Sequence, residues 1–242
     1  MCTVTFSPRK HGYALAMNRD EKLIRAAGLP PAERVINGRR VLAPSEPGGG
    51  TWLSVNDSGV TFALINWYSI PSRVTAKSIS RGDVVKTVGA LNSALSATRA
   101  MEQLPLARIN PFRLIGFFPA TSQISEWRWD FKALASKVHP WRLQQWISSG
   151  FDEPQAQQTR GKVFQAAARQ NTVGRLAWLR RLHHSHAPDR GPFSTCMHRP
   201  DAATVSYTEV SVSSRKTVMR YFGASLCRCA RGQLQVRRLN LV

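Results

Sequence analysis

A cysteine at position 2 and a polar run one hairpin later are the residues whose types and spacing point most directly to chemistry. Met1 precedes Cys2, and residues 17–21 read MNRDE. Removal of Met1, which a small second residue permits in the cytosol, leaves a thiol and a free α-amine on Cys2. An α-amine has an unperturbed pKa of about 7.7–8.0, so it can take the proton of the thiol on its own residue at neutral pH.

Such a nucleophile needs a rigid strand, a cation that lowers the pKa of the thiol, and a carboxylate that orients the amine. Arg19 offers the cation and Asp20 the carboxylate. Adjacent side chains on a strand point to opposite faces, so both can face Cys2 only if a bulge or the strand end redirects one of them. A small buried hydrophobic side chain at a strand start is the alternative interpretation of Cys2.

The elements that must position these residues are predicted from local patterns. CTVTF alternates and is rich in β-branched residues, SPRKHG is typical of a hairpin connection, and YALAMN predicts a returning strand. An antiparallel pair brings residues 18–20 back beside Cys2. Residues 46–69 predict a Gly-rich loop, a strand, an Asn-Asp-Ser-Gly turn and another strand, so the first third of the chain is predicted to be a β-meander.

Helical and strand patterns alternate in the rest of the chain. Residues 81–102 predict a helix, and a second helical region begins at residue 150 and runs on through GRLAWLRRLHHSH. FRLIGFFP and QISEWRWD predict a hairpin between them, and FSTCMH, ATVSYTEVSV, KTVMRYFG and LQVRRLNL predict C-terminal strands. This order indicates sheets covered by helices in a layered α+β fold, with residues 1–242 as a single domain.

Composition narrows the classes of protein. The chain has 242 residues, 43% of them apolar, and no apolar run long enough for a transmembrane helix or a signal peptide, so we expect a cytoplasmic protein with reduced cysteines. Thirty-four Lys and Arg against 14 Asp and Glu give a net charge of +20. The excess suits an anionic ligand, but the arginines are scattered, so a solvated basic surface that binds nucleic acid only non-specifically is the alternative.

Four segments together resemble the NRDE family, the family of Transport and Golgi organisation protein 2 and its bacterial relatives. They are Cys2 itself, MNRDE, the stretch GGTWLSVNDSGVTFALIN that ends at Asn66, and the late TVSYTEV. That family is similar to the N-terminal-nucleophile hydrolases of the choloylglycine hydrolase and penicillin V acylase type and to the related acyltransferases. The resemblance implies a four-layer αββα sandwich of antiparallel sheets and a reaction through a thioester on an N-terminal cysteine.

The resemblance also implies site residues. It makes Cys2 the nucleophile, with Arg19 and Asp20 beside it, although bile salt hydrolases separate their Arg and Asp by two further residues. Asn66 follows an N-x-x-G turn and is implied to hold the oxyanion, whereas a turn-capping Asn is the alternative. Three residues are assigned to substrate binding, and Trp52 among them is as readily a core residue: Asn18, Trp52 and Arg199.

The later cysteines and histidines carry weaker signals. Cys196 and His198 share a face of a predicted strand, which suits a metal or haem contact or an ordinary core and edge pair. Cys227 and Cys229 form a C-x-C, too short for the usual structural zinc signature. The histidines of HHSH at 183–186 end a predicted helix, where a cation suits the helix dipole. We therefore assign no metal ligand.

Three functions follow as hypotheses. The first is an amidohydrolase or acyltransferase that uses no cofactor and acts on a small acyl or amide substrate. The basic surface would suit a substrate that carries an anionic group. The second is a non-catalytic haem, lipid or acyl-CoA carrier of the same fold, with Cys2, His198 or His11 on the ligand. The third is a basic nucleic-acid-binding protein, for which the net charge is the sole argument.

Overall fold

The computed structural model describes residues 2–75, 77–228 and 234–241, and these form two antiparallel sheets with helices on their outer faces. The strands are β1 (Cys2–Arg9), β2 (Gly12–Lys22), β3 (Leu29–Ile36), β4 (Arg39–Ser45), β5 (Leu53–Asn56), β6 (Thr61–Asn66), β7 (Phe112–Phe118), β8 (Gln123–Trp129), β9 (Leu134–His139), β10 (Gln144–Ser148), β11 (Ala202–Val212), β12 (Lys216–Phe222) and β13 (Leu234–Asn240). The helices are α1 (Arg81–Val88), α2 (Ala94–Glu102), α3 (Glu153–Ala167) and α4 (Leu176–His184).

The strand that begins with Cys2 lies inside its sheet. The first sheet has the order β10-β1-β2-β11-β12-β13, so Cys2 pairs with Arg19 of β2 on one side and with Ser148 of β10 on the other. The second sheet runs from β3 to β9 in chain order. The predicted meander is therefore divided, because its first hairpin belongs to one sheet and its later strands belong to the other.

Alternation along β1 decides where Cys2 points. Cys2, Val4 and Phe6 belong to the core between the sheets, and Phe6 stacks on Phe117 of the second sheet with ring centroids 5.1 Å apart. The intervening Thr5 lies on the opposite face, where its hydroxyl contacts a histidine of α4. Side chains alternate between the two faces of a strand, so the Cys2 thiol faces the space between the sheets, whereas Thr5 faces the helices.

The outer layers complete the sandwich. Trp178 of α4 packs on Ala14 and Ala16 of β2, where small side chains allow the helix to lie close to the sheet. On the other side, Val85 of α1 packs in a cluster with Leu114 of β7. The arrangement is the four-layer αββα fold that the resemblance implied, and that expectation is confirmed.

Both predicted helical regions are interrupted. The predicted helix over 81–102 is two helices, because α1 ends at Val88 and the Ser93 hydroxyl accepts a hydrogen bond from Ser96 N–H and so starts α2 anew. The second region is divided into α3, which ends at Ala167, and α4, which begins at Leu176. Gly174 lies in the connection, and its φ of +84° does not fit a helix.

The strand predicted for FSTCMH is wrong. Residues 185–201 form an irregular loop, with one isolated bridge from His198 to Ala203. The backbone of this loop finds partners outside a ladder: Cys196 N–H donates to the Ser185 carbonyl, and the Ser194 hydroxyl donates to the Cys196 carbonyl. Strands β3, β4, β9 and β10 were not predicted. No helix of the described residues is long and apolar enough to cross a membrane.

Candidate active site

Cys2 opens on a cavity between the ends of the two sheets. Its side chain is buried, with 7% of the residue exposed, and it borders a cavity of about 350 Å³. The polar part of the wall includes Arg19, Asn66 and Arg81, and Trp52 supplies an apolar surface. The fold thus brings the N-terminal cysteine together with residues from the second sheet and from the start of α1.

The environment of Cys2 favours a protonated thiol. Burial raises the pKa of the thiol, the Asp20 carboxylate adds to the rise, and the Arg19 guanidinium opposes it. The Cys2 backbone nitrogen donates to Ser148 Oγ over 3.2 Å. This nitrogen is the atom that becomes the α-amine when Met1, which lies outside the described residues, is removed. Ser148 therefore contacts the group on which the predicted base depends.

Arg19 lies on the same face of the sheet as Cys2. Its guanidinium carbon stands 4.5 Å from the centroid of the Trp52 ring, and its Nη2 is 2.6 Å from Glu46 Oε1. A weaker contact of 3.4 Å joins the same nitrogen to Glu21. The cation is thus held in place from three sides at the cavity wall, with its charge partly balanced by carboxylates.

Asp20 lies on the opposite face from Arg19, as strand alternation requires. Its carboxylate accepts hydrogen bonds from Thr204 Oγ1 at 2.6 Å and from Arg160 Nη1 at 3.1 Å. The same Arg160 nitrogen donates to Thr3 Oγ1 over 2.7 Å. A bulge does occur here, but on β11, where the pairing register shifts between Thr204 and Ser206. Asp20 therefore borders the cavity at the end of β2 while its carboxylate is held by Thr204 and Arg160, and its predicted role toward the amine stays a prediction.

Asn66 ends β6 inside the cavity. The preceding turn is built as the N-x-x-G pattern predicts, since Asn56 Oδ1 accepts from Ser58 N–H and Gly59 has a φ of +70°. Asn66 Nδ2 donates to the Tyr68 hydroxyl over 2.7 Å. An amide nitrogen carries two N–H groups, so with respect to the described residues a second donor of Asn66 is left for a ligand. The oxyanion role of Asn66 is a prediction that this placement supports.

Two of the predicted substrate-binding residues lie elsewhere. Asn18 is fully buried on the helix-covered face, where its amide donates to the carbonyl oxygens of His183 and Thr195. Arg199 pairs with Asp201 at 2.8 Å and lies 4.8 Å from the ring centroid of Phe151. Neither borders the cavity, so we do not assign them to it.

Several residues in or near the site had no functional signal in the sequence. Arg81 begins α1, and burial lowers the pKa of its guanidinium although Tyr68 opposes this. It donates to the Pro111 carbonyl, and within the described parts of the chain it has no ion pair. The helix predicted over 81–102 begins at Arg81, but nothing in its pattern marks Arg81 as a cavity residue. Ser148 and Arg160 are placed by contacts between distant parts of the chain.

The family follows from a sequence comparison. The family model described as Transport and Golgi organisation 2 matches residues 1–126. The chain belongs to this family. A search of curated proteins finds no match. The expected resemblance is thereby confirmed over the half of the chain that supplies Cys2, Arg19, Asp20 and Asn66.

Solved structures show the fold over the rest of the chain. A mutant of conjugated bile acid hydrolase from Clostridium perfringens is similar with a TM-score of 0.60 at 10% identity, over 99% of this chain and 92% of that one. A second variant of that hydrolase gives 0.59 at 9% identity with the same coverage. Penicillin V acylase from Agrobacterium tumefaciens gives 0.53 at 12% identity, over 99% and 91%. At such identities the likeness shows the fold, which is that of the N-terminal-nucleophile hydrolases.

Proposed function

We propose that this protein is an N-terminal-cysteine amidohydrolase or acyltransferase that acts on a linear amide or an acyl thioester. One observation carries the proposal: the Cys2 thiol and the Asn66 amide border one cavity, while the Cys2 backbone nitrogen donates a hydrogen bond to the Ser148 hydroxyl. A nucleophile, an amide donor and an oriented amine are the parts that acyl transfer of this kind requires.

The reaction has two halves. The α-amine of processed Cys2 takes the thiol proton, and the thiolate attacks the acyl carbon while an Asn66 N–H donates to the oxygen that becomes negative. The amine then gives its proton to the departing amine or thiol as the C–N or C–S bond breaks, which leaves a thioester. Water or an acceptor amine or thiol attacks that thioester and loses its proton to the α-amine. The amine then returns this proton to the Cys2 sulfur as the C–S bond breaks, which restores the thiol.

Ser148 and Asp20 serve this scheme by position. The Ser148 hydroxyl accepts the hydrogen bond from Cys2 N and so directs the lone pair of the free amine away from itself. Burial raises the pKa of the Cys2 thiol most, and the nearby Asp20 carboxylate raises it further. The same negative charge would favour the protonated amine that forms in each half of the reaction. Arg160 fixes Asp20 and Thr3 together, and thereby holds the strand ends on both sides of Cys2.

The charges of the wall indicate the substrate class. Arg19 is paired with carboxylates, whereas Arg81 faces the cavity without an ion pair among the described residues. A half-buried cation of this kind favours an anionic substrate group, and Trp52 and Leu64 offer an apolar surface for the acyl part. The proposal is a small acyl compound that carries a carboxylate or phosphate near the scissile bond.

The first test is the intact mass of the purified protein, followed by acyl-substrate trapping. We expect a mass lacking Met1 and an acyl adduct on Cys2 when slow amide and thioester substrates are supplied. A variant with glutamate inserted after Met1 retains the methionine and should form no adduct, and Cys2→Ala should form none either. A native protein that keeps Met1, or equal adducts with the amine blocked, would contradict the mechanism.

Asn66 can be tested against a matched residue of the same cavity. Asn66→Ala should lower kcat by about 10²–10³, the usual loss of one oxyanion donor. Asn110→Ala removes an amide from the same wall, where its Oδ1 accepts from Val74 N–H, and should change kcat much less. Equal losses in the two variants would show that Asn66 shapes the cavity and does not hold the oxyanion.

A carrier function is the second candidate, favoured by the effect of burial on the pKa of the Cys2 thiol. A protonated thiol is a poor nucleophile unless the amine is free, so a protein that retains Met1 would be suited to holding a ligand. Titration with haem and with acyl-CoA tests this. A Soret band that shifts in Cys2→Ala, together with retained Met1, would favour the haem carrier over the enzyme.

A further inference from the structure

Four potential metal ligands converge at the end of the first sheet, away from the Cys2 cavity. The ligand atoms of His186, Cys196, His198 and Cys227 all lie within 4.8 Å of one another. The two sulfurs are 3.4 Å apart, and His198 Nε2 is 3.6 Å from Cys196 Sγ and 3.3 Å from Cys227 Sγ. His186 Nε2 is 3.2 Å from His198 Nε2.

Four of the six separations among these atoms are close to those of a tetrahedron around one ion. With zinc–sulfur bonds of about 2.3 Å and zinc–nitrogen bonds of about 2.0–2.1 Å, a tetrahedral angle puts two sulfurs about 3.8 Å apart, a sulfur and a nitrogen about 3.5 Å, and two nitrogens about 3.3 Å. Each of the four observed distances lies within about 0.4 Å of the value calculated from zinc bond lengths. The remaining two separations, from His186 to the two sulfurs, are at most 4.8 Å.

We propose that His186, Cys196, His198 and Cys227 bind one zinc ion as a closed, four-coordinate structural site. Both imidazoles coordinate through Nε2 in their neutral form, and each thiol gives its proton to solvent as its sulfur bonds the ion. Two thiolates then balance the charge of the ion, and two protons are released for each zinc bound. Two sulfurs and two nitrogens in tetrahedral array are the donor set that zinc prefers.

The cluster departs from the expectation that the chain binds no metal. His186 follows the end of α4, Cys196 and His198 lie in the loop of residues 185–201, and Cys227 lies 31 residues beyond Cys196, after β12. Structural zinc sites are usually recognised by paired cysteines two to four residues apart, and this arrangement contains no such pair among its ligands. Cys229, the partner in the C-x-C, lies outside the described residues.

Other occupants suit the geometry less well. A porphyrin needs open space in the plane between its axial ligands, whereas these four atoms surround a single point. A disulfide needs sulfurs about 2.05 Å apart, and the observed sulfurs are separated by 3.4 Å. A disulfide would also leave both imidazoles unused, although His198 Nε2 lies within contact distance of both sulfurs.

The proposed ion would anchor a loop that lies behind the Cys2 cavity. The N–H of Met197, between two of the ligands, donates to Thr204 Oγ1 over 2.8 Å. Thr204 in turn donates to Asp20 Oδ1 over 2.6 Å. The loop contains no strand of its own, so metal coordination would fix its backbone in place of strand pairing. The fixed loop would in turn hold Asp20 through the Thr204 hydroxyl.

Metal analysis of the untagged full-length protein, purified under reducing conditions without chelator, is the direct test. We expect about one zinc per chain by elemental mass spectrometry. After chelation, added Co²⁺ should give the visible absorption of tetrahedral cobalt with a thiolate-to-cobalt charge-transfer band. His186→Ala and Cys196→Ser should lower the zinc content severalfold, whereas His184→Ala, an exposed neighbour, should keep it. Cys229→Ser should also keep it.

Several results would overturn the proposal. One is reduced wild-type protein that neither carries zinc nor takes up Zn²⁺ or Co²⁺, and another is a Cys196–Cys227 disulfide found by peptide mass. Equal zinc loss in His184→Ala, or loss in Cys229→Ser, would refute the ligand set. If the ligand variants fail to fold, chelated wild-type protein is titrated with Zn²⁺ during thiol alkylation. Zinc should protect Cys196 and Cys227, and unprotected thiols would refute the site.

Discussion

Replacement of Arg160 by methionine removes a fully buried cation from the back of the strand ends that hold Cys2. The side chain donates to Asp20 at 3.1 Å, to Thr3 at 2.7 Å and to the Pro192 carbonyl at 3.4 Å. The charged bond to Asp20 contributes about 1.5–3 kcal/mol and each of the others about 1 kcal/mol. The expected loss is therefore about 3–5 kcal/mol, which matches the cost of breaking a buried ion pair from one side.

Urea unfolding followed by tryptophan fluorescence measures this free energy, and a double-mutant cycle with Asp20→Asn isolates the pair. The double variant should be less destabilised than the sum of the single variants by about 2 kcal/mol, since contacting charges couple. Arg180→Met is the matched control, because its partner Glu209 keeps a second arginine, Arg220, at 3.3 Å. Its expected loss is about 1 kcal/mol or less. Additive effects, or equal losses in the two arginine variants, would refute the reasoning.

Three further predictions concern pH and backbone. Burial alone would raise the pKa of Glu126, but two arginines that contact it lower the pKa from 4.5 to about 2. This lowered pKa contributes about 3 kcal/mol to the free energy of unfolding, and the contribution is complete above pH 4.5 and lost as the pH falls toward 2. The free energy of unfolding of Glu126→Gln, measured in urea, should therefore vary less over this window. Gly12→Ala should lower the Tm sharply, because its Cβ would lie 2.2 Å from the Val212 carbonyl at a φ of +115°, whereas Gly161→Ala in α3 has open space and should raise it slightly. Alkylation of Cys2 by iodoacetamide should rise through pH 8 in processed protein. With Met1 retained it should still be rising above pH 9, because burial raises the pKa of the thiol, and an identical pH profile for the two forms would contradict the role of the amine.

The local parts of the site could be predicted from the sequence. The hairpin that pairs Cys2 with Arg19 follows from β-branched alternation around a Pro- and Gly-containing connection, and the division of Arg19 from Asp20 follows from the period of a strand. The turn before Asn66 follows from its Asn and Gly. Each of these patterns is complete within about 20 residues, where backbone preferences and hydrogen bonds act without the rest of the fold.

The distant parts could not be predicted. Ser148 meets Cys2 across 146 residues, and Arg160 reaches Thr3 across 157. Such pairings are decided by which surfaces pack together, and neither Ser148 nor Arg160 has a local pattern that marks it. The loop with Cys196 and His198 was predicted as a strand, yet its backbone bonds within the loop, to β11 and to a side chain of β2.

β1 lies between two other strands of its sheet, and this position has a consequence for the order of events during synthesis. Cys2 lies between β2 and β10, and β10 ends at Ser148. At about 5–20 residues per second, the ribosome completes β10 about 7–30 s after it has made Cys2. During that interval the N-terminus has one neighbouring strand at most and remains open to an aminopeptidase. We expect Met1 to be removed in this period, so the chemistry proposed for the folded protein would be prepared on the nascent chain.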